Sequence, residues 1–197
     1  MITDGDLVKC VIEEAKANIS SWADNDIYAV SFYVENPNGN PYTPSVSFGY
    51  NTERQYKESI VYASDEGEAR WNFAFWLQNQ TFAFGEEGET KDIIKQWVLG
   101  HGLSYCEDFT LDYEDEATVN ANYELLDKIC GKFVSVLVEA VKNLHGSGFI
   151  KEKFGKEIPV VIHELEYCDK IAVQNIEANT LPLVQGLVEF CGRVVII

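Results

Sequence analysis

The longest regular alternation of apolar and polar positions runs from Tyr123 to Leu144. Apolar side chains recur there every three or four residues over several unbroken turns, at Leu126, Ile129, Cys130, Phe133, Val136, Leu137, Ala140, Val141 and Leu144. The polar side is narrower and consists of Asp127, Lys128, Lys132, Glu139, Lys142 and Asn143. The pattern predicts a largely buried central helix that ends at Gly146.

A second helical pattern opens the chain, and two strand patterns follow it. After an N-cap at Asp4 or Asp6, one stripe of a first helix carries Leu7, Val11, Ala15, Ile19 and Trp22. Residues 27–35 and 45–50 then alternate with the period of two that is typical of strands. In the first strand one face carries Tyr28, Val30, Phe32 and Val34. The turn residues between the strands predict an antiparallel hairpin.

The remaining patterns predict shorter elements. These are a helix over 53–59 capped by Asn51-Thr52, a polar loop over 65–68, a segment over 71–77 that fits either a strand or, as favoured here, a short helix capped by Asn72, a helix from Thr90 to about Gly100, a strand over 158–167, and helices over 169–179 and 181–191. Together they predict a single α+β domain over residues 1–197. A small, mostly antiparallel sheet packs in it against the long central helix and several shorter helices.

The composition excludes several classes of protein. With 197 residues, of which 46% are apolar, the chain can bury a core without disulfides or metals. No apolar run approaches the roughly 20 residues of a membrane span. The first nine residues do not resemble a secretory signal, so we expect a cytoplasmic protein. Five cysteines without a Cys-x-x-Cys pair indicate neither a disulfide framework nor a zinc ribbon, and no cofactor is expected.

The net charge is the strongest indication of function in the composition. Acidic residues number 32 against 15 basic ones, which gives a net charge of −17. Phosphate recognition depends on clusters of lysine and arginine, so direct binding to nucleic acid is disfavoured. Self-repulsion and solubility explain such a charge in the simplest way, while attraction to a basic protein is the more specific alternative.

The acidic bias is greatest between residues 96 and 127, which contain no lysine or arginine. Aromatic residues are interleaved with the acidic ones, which favours an ordered surface loop over a disordered tail. Acidic side chains would steer a basic partner towards this loop, and aromatic ones would anchor it. The predicted partner-binding residues are Tyr105, Asp108, Asp112, Tyr113, Glu114, Asp115 and Glu116.

Two alternatives concern other segments. A metal-dependent or acid–base enzyme would use His163, Glu164 and Glu166, with His101 as a further candidate, because histidine and carboxylates are metal ligands. Strand alternation places His163 and the two glutamates on opposite faces, which argues against a local site. His145-Gly146-Ser147-Gly148 lacks the strand-to-helix elbow of a nucleophilic serine. No catalytic and no metal-ligating residue is therefore assigned.

The other alternative is a small-ligand site built from aromatic side chains. The candidates are Trp71, Phe73, Phe75, Trp76, Phe82 and Phe84. Core packing explains these rings more simply, because each brings a large apolar area that folding would bury.

Several short segments also occur in a suggestive order. They are Tyr28-Ala29-Val30-Ser31-Phe32-Tyr33, Asn51-Thr52-Glu53, Arg70-Trp71 with Trp76, the long helix running into Leu144-His145-Gly146-Ser147-Gly148-Phe149, and the strand from Val160 to Glu164. In this order they resemble the bacterial domain-of-unknown-function 4303 family over most of the chain. The resemblance implies no established enzyme chemistry and supplies no catalytic residues. The sequence favours a non-enzymatic acidic protein-binding module of the type with which bacteria neutralise a toxin.

Overall fold

Helices and strands alternate irregularly along the chain in the computed structural model. The structure describes residues 1–80, 82–103, 105–106, 109 and 116–194, without the side chains of residues 38, 193 and 194. The elements are α1 (Asp4–Ser21), β1 (Ile27–Glu35), β2 (Ser45–Thr52), α2 (Glu53–Ser59), α3 (Glu66–Trp71), β3 (Ala83–Phe84), α4 (Gly88–Gly100), α5 (Glu116–Gly146), α6 (Phe149–Phe154), β4 (Val160–His163), α7 (Asp169–Ala178) and α8 (Leu181–Val194). They form a single α+β domain, as predicted.

The predicted central helix is confirmed as α5, which has 31 residues and begins before its apolar stripe does. Its buried residues run from Ile129 to Leu144, while the turns that precede Ile129 contain none. Helix propensity and hydrogen bonding within the helix therefore extend it beyond the part that packing holds in place.

The helix N-termini differ from the prediction in three places. Thr3, and neither Asp4 nor Asp6, caps α1, because its hydroxyl accepts from the Asp6 amide at 3.2 Å while the Asp6 carboxylate accepts from the Thr3 amide at 3.2 Å. The helix predicted to begin at Thr90 begins at Gly88. The expected polar loop at 65–68 holds the start of α3, which Asp65 caps.

The sheet has the strand order β3-β2-β1-β4. β1 and β2 form the predicted antiparallel hairpin, with Phe32 opposite Phe48. β4 runs parallel to β1 and ends at His163, four residues before the predicted end. The sequence pattern missed β3, which has only two residues.

A bulge changes the face on which Tyr28 lies. The register of β1 against β2 shifts between Ile27 and Ala29, so Tyr28 joins Ala29 on the opposite side of the sheet from Val30 and Phe32. The predicted common face of Tyr28 and Val30 is therefore wrong.

Each face of the sheet buries its own hydrophobic core. Val30 and Phe32 pack with side chains of α1, α4 and α5 in what we call the first core. Ala29 and Val161 pack with side chains of α3, α7 and α8 in the second core. The short helix predicted at 71–77 is confirmed as a 3₁₀ turn at Phe73–Phe75, capped by the Asn72 side chain, and it contributes to the second core.

Side chains of α7 cover the outer edge of β4. Asn175 accepts from the Ile162 amide at 2.9 Å and donates to the Ile162 carbonyl at 2.7 Å, and Asn179 makes the same pair of bonds to Val160 at 2.9 and 3.0 Å. The two amides replace the backbone of a further strand, so no unpaired strand edge is left there.

Gly186 lets α8 approach Trp71. A Cβ atom at position 186 would lie 2.6 Å from the Trp71 Nε1 atom and 3.1 Å from its Cε2 atom, whereas a Cβ at Gly192 on the same helix meets nothing within 4 Å. We expect Gly186→Ala to lower the free energy of unfolding by about 1–3 kcal/mol, because the overpacked helix must shift. Gly192→Ala, the matched control, should raise it by about 0.5–1 kcal/mol. Urea unfolding of both variants measures the difference, and equal effects would contradict the close approach.

None of the helices in the described part of the chain combines the length and the apolar character that crossing a bilayer demands.

Candidate functional site

Most of the predicted partner-binding residues lie outside the described residues: Asp108, Asp112, Tyr113, Glu114 and Asp115. Of the other two, Tyr105 is half-buried against the first core, with the Lys95 ammonium 5.1 Å from its ring centre. Glu116 is exposed at the first residue of α5. The patch between residues 96 and 127 therefore stays a prediction.

His163, the leading residue of the enzyme alternative, has no exposed surface. Its Nε2 atom lies 2.8 Å from the Ser31 hydroxyl oxygen and its Nδ1 atom 3.2 Å from the Glu164 carbonyl oxygen. The rings of Phe73, Tyr33, Trp76 and Tyr167 surround it, with centroids 4.7, 5.4, 6.0 and 5.9 Å away. The Ser31–His163 pair has the spacing of a nucleophile and base, but both side chains are buried away from any substrate.

Burial also sets the protonation state of His163. Desolvation disfavours the charged imidazolium and lowers the pKa of His163 to about 4. The ring is therefore neutral at physiological pH and acts as a hydrogen-bonding partner within the second core.

The other residues of the enzyme alternative do not gather around His163. Glu166 is exposed, and His101 packs on Trp97 with its Nε2 atom 2.8 Å from Asp4. In the part of the chain that the structure describes, no three His, Cys, Asp or Glu side chains are grouped to hold a metal ion.

The residues that carry the family resemblance are divided between the two cores, and four of them, Tyr28, Glu53, Arg70 and Trp76, are linked by contacts in and beside the second core. The Tyr28 hydroxyl donates to the Arg70 carbonyl at 2.6 Å, and the Trp76 indole donates to the same carbonyl at 2.8 Å. The Arg70 guanidinium lies 4.1 Å over the Tyr28 ring and bonds both carboxylate oxygens of Glu53 at 2.7 and 3.2 Å. These contacts join α2, α3 and β1, which is a structural role.

Four members of the aromatic set lie in the two cores, while Phe75 is half-buried outside them. Trp71, Phe73 and Trp76 belong to the second core and Phe84 to the first, as the packing explanation predicts. Phe82 is different, because 36% of its surface is exposed. It lies on the rim between two clefts, which form the candidate functional site.

The first of these, the Glu35 cleft, has a volume of about 350 Å³. It opens on the face of the sheet that carries the second core. Its lining residues are Tyr33, Glu35, Ser47, Phe73, Gln78, Gln80, Phe82, Ala83 and Glu86. Burial raises the pKa of Glu35, and the nearby charge of Glu86 raises it further. The pKa of Tyr33 is raised as well, chiefly by burial and then by Glu35. The two carboxylates thus repel each other in a partly desolvated place.

The second, the Glu89 cleft, has a volume of about 570 Å³ and lies between α1 and the start of α4. Glu13 and Glu14 line it from α1, and Glu87 and Glu89 line it from the other side. Phe82 and Phe84 contribute apolar surface.

Glutamates dominate the two clefts, and they are Glu13, Glu14, Glu35, Glu86, Glu87 and Glu89. Among the described residues that line the two clefts there is no lysine, arginine or histidine. Lys91 lines a separate cavity, which Glu86 and Glu87 share. The site can therefore attract and hold a positively charged group, with aromatic surface beside the carboxylates.

Sequence reasoning placed the acidic surface later in the chain and missed these residues. Glu86, Glu87 and Glu89 form an acidic run that is visible in the sequence. Glu13 and Glu14 lie on the predicted polar face of the first helix. Their grouping with Glu35 arises from the pairing of β1, β2 and β3, which no local pattern reveals.

Comparisons of the chain with family models, with curated proteins and with solved structures find no match. The resemblance to the bacterial family stays a prediction.

Proposed function

We propose that the chain is a non-enzymatic, acidic binding module for a positively charged protein, of the type that neutralises a toxin by occluding its basic surface. One observation carries the proposal. Six glutamates line two adjoining clefts around the exposed ring of Phe82, and the lining residues in the described part of the chain include no basic side chain.

The charge distribution supports fast and selective association. A net charge of −17 steers a basic protein during diffusional encounter. Glu86, Glu87 and Glu89, which line the clefts, are exposed, so their carboxylates can orient a basic partner as it approaches. An exposed aromatic ring supplies the apolar contact that a bound state requires.

Binding of a cationic partner would also relieve an electrostatic repulsion that is present in the free protein. Glu35 is held beside Glu86 in a partly buried position, where like charges disfavour ionisation. A positive group placed between them replaces repulsion by attraction. This gain is absent for a neutral or acidic partner, which gives selectivity as well as affinity.

Affinity capture from the native cell tests the proposal with a matched pair of variants. The cleft variant carries Glu13→Gln, Glu87→Gln and Glu89→Gln. The control variant carries Glu58→Gln, Glu152→Gln and Glu189→Gln, which are exposed and line neither cleft. Both have the same net charge.

We expect the wild type and the control to retain the same basic protein, and the cleft variant to bind it at least about tenfold more weakly. Co-production of the wild type should relieve the growth defect that this protein causes by itself. Recovery of no basic protein, or equal binding by the two variants, would overturn the proposal.

A further inference from the structure

The Glu35 cleft exists because helices cover only part of the second face of the sheet. Helices α3, α7 and α8 pack over the end of this face nearest β4. At the opposite end the floor of the cleft is formed by Tyr33, Ser47 and Ala83, which are neighbours across β1, β2 and β3. The cleft is thus a strip of sheet surface with a side wall.

The side wall is the segment that follows the 3₁₀ turn, and it is fixed in place. In this segment the side-chain amide nitrogen of Gln78 donates to the carbonyl oxygens of Phe73 and Trp76 at 2.9 and 3.3 Å. The same segment lies directly on β2 at Gly49, where a Cβ atom would come within 2.9 Å of the Asn79 side chain and 3.0 Å of the Gln80 side chain. The cleft is therefore formed before any ligand arrives.

Aromatic surface and carboxylates face the same cleft. The rings of Tyr33 and Phe73 stack with centroids 4.8 Å apart and planes 21° apart, and Phe82 lines the cleft as well. Glu35 comes from the end of β1, and Glu86, which accepts a hydrogen bond from Ser45 at 3.3 Å, comes from the turn after β3. A cation with a flat or aliphatic body matches this combination of surfaces.

We propose that the Glu35 cleft receives one arginine side chain of the partner protein, with its guanidinium between Glu35 and Glu86. The inference rests on the proposed function and names the group that the site recognises. A guanidinium carries five donors in a plane, pairs with carboxylates in bidentate geometry and stacks on aromatic rings. The volume of about 350 Å³ is at the small end of the range for ligand sites and suits a single side chain.

A small probe tests this without the partner. Acetyl-arginine methylamide presents the guanidinium as a protein side chain does, and acetyl-citrulline methylamide is its uncharged isostere. NMR titration should show shifts of the Ser47 and Ala83 amides with the arginine probe at millimolar concentration and at least about tenfold weaker binding of the citrulline probe.

Two variants complete the design. A protein carrying Glu35→Gln and Glu86→Gln should lose at least about tenfold in affinity for the arginine probe, while Glu152→Gln should leave it unchanged. Equal binding of the arginine and citrulline probes, or shifts confined to other residues, would overturn the inference. If a basic protein is captured but these glutamates do not affect its binding, the arginine assignment fails and the proposed function stands. If the probe binds but no basic protein is found, the proposed function fails instead.

Discussion

Replacing Asn175 by alanine is expected to lower the free energy of unfolding by about 2–3 kcal/mol, because it leaves the buried backbone N–H of Ile162 without an acceptor and creates a cavity. Asn175 has no exposed surface, and its amide bonds both the N–H and the C=O of Ile162. Gln174 also donates to the Ile162 carbonyl at 2.9 Å, so that oxygen keeps a partner in the variant. The Ile162 N–H loses its acceptor, and a cavity remains.

Asn143→Ala is the matched control. Asn143 is exposed on α5 and donates to the Glu139 carbonyl at 2.7 Å, four residues earlier, as Asn175 donates to the Ile171 carbonyl at 2.9 Å. Its loss should change stability by less than about 0.5 kcal/mol. Urea unfolding of both variants measures the contrast. Similar losses would show that the bonds to β4 contribute little.

The stability of the wild type should decrease on acidification more steeply than that of a His163→Gln variant. The pKa of His163 is about 4 in the folded chain, whereas an unperturbed histidine has a pKa of about 6.5. The unfolded chain therefore binds a proton first as the pH falls. The contribution of this histidine to folding is complete above pH about 6.5 and is lost progressively towards pH 4.

The expected difference between wild type and variant is about 2 kcal/mol at pH 5 and about 3 kcal/mol at pH 4, relative to pH 7. Carboxylates with lowered pKa values, such as Glu53 beside Arg70, add a pH dependence that both proteins share. Denaturant unfolding at several pH values gives the two curves. Parallel curves, or an imidazole that titrates near pH 6.5 by NMR, would contradict the buried, neutral state of His163.

Local patterns predicted the elements that one segment specifies by itself. β1, the hairpin, α2 and α5 follow from apolar periodicity, turn residues and caps within a few positions of each other. The errors at helix N-termini are local, as at the Thr3 cap of α1, whereas the errors in the extent and facing of strands arise where a distant contact decides. The alternation that suggested a strand as far as Tyr167 arises from Tyr167 being buried in the second core after β4 has ended.

The candidate site shows the same limit. The charge of −17 and the aromatic residues at 71–84 are visible in the sequence, and both contribute to the site. What the sequence does not display is that strand pairing places Glu35 beside Glu86, or that Gly49 lets the wall of the cleft lie on the sheet. The predicted site at 105–116 was chosen by charge density along the chain, which is a different quantity from charge density in space.

Hydrogen exchange of the chain with and without its captured basic partner tests the central claim most directly. We expect the partner to slow exchange at Phe82, at residues 86–89 and at Glu13 and Glu14, the segments that surround the two clefts. Slowed exchange confined to α6 or to the outer face of α7, with residues 82–89 unchanged, would contradict it.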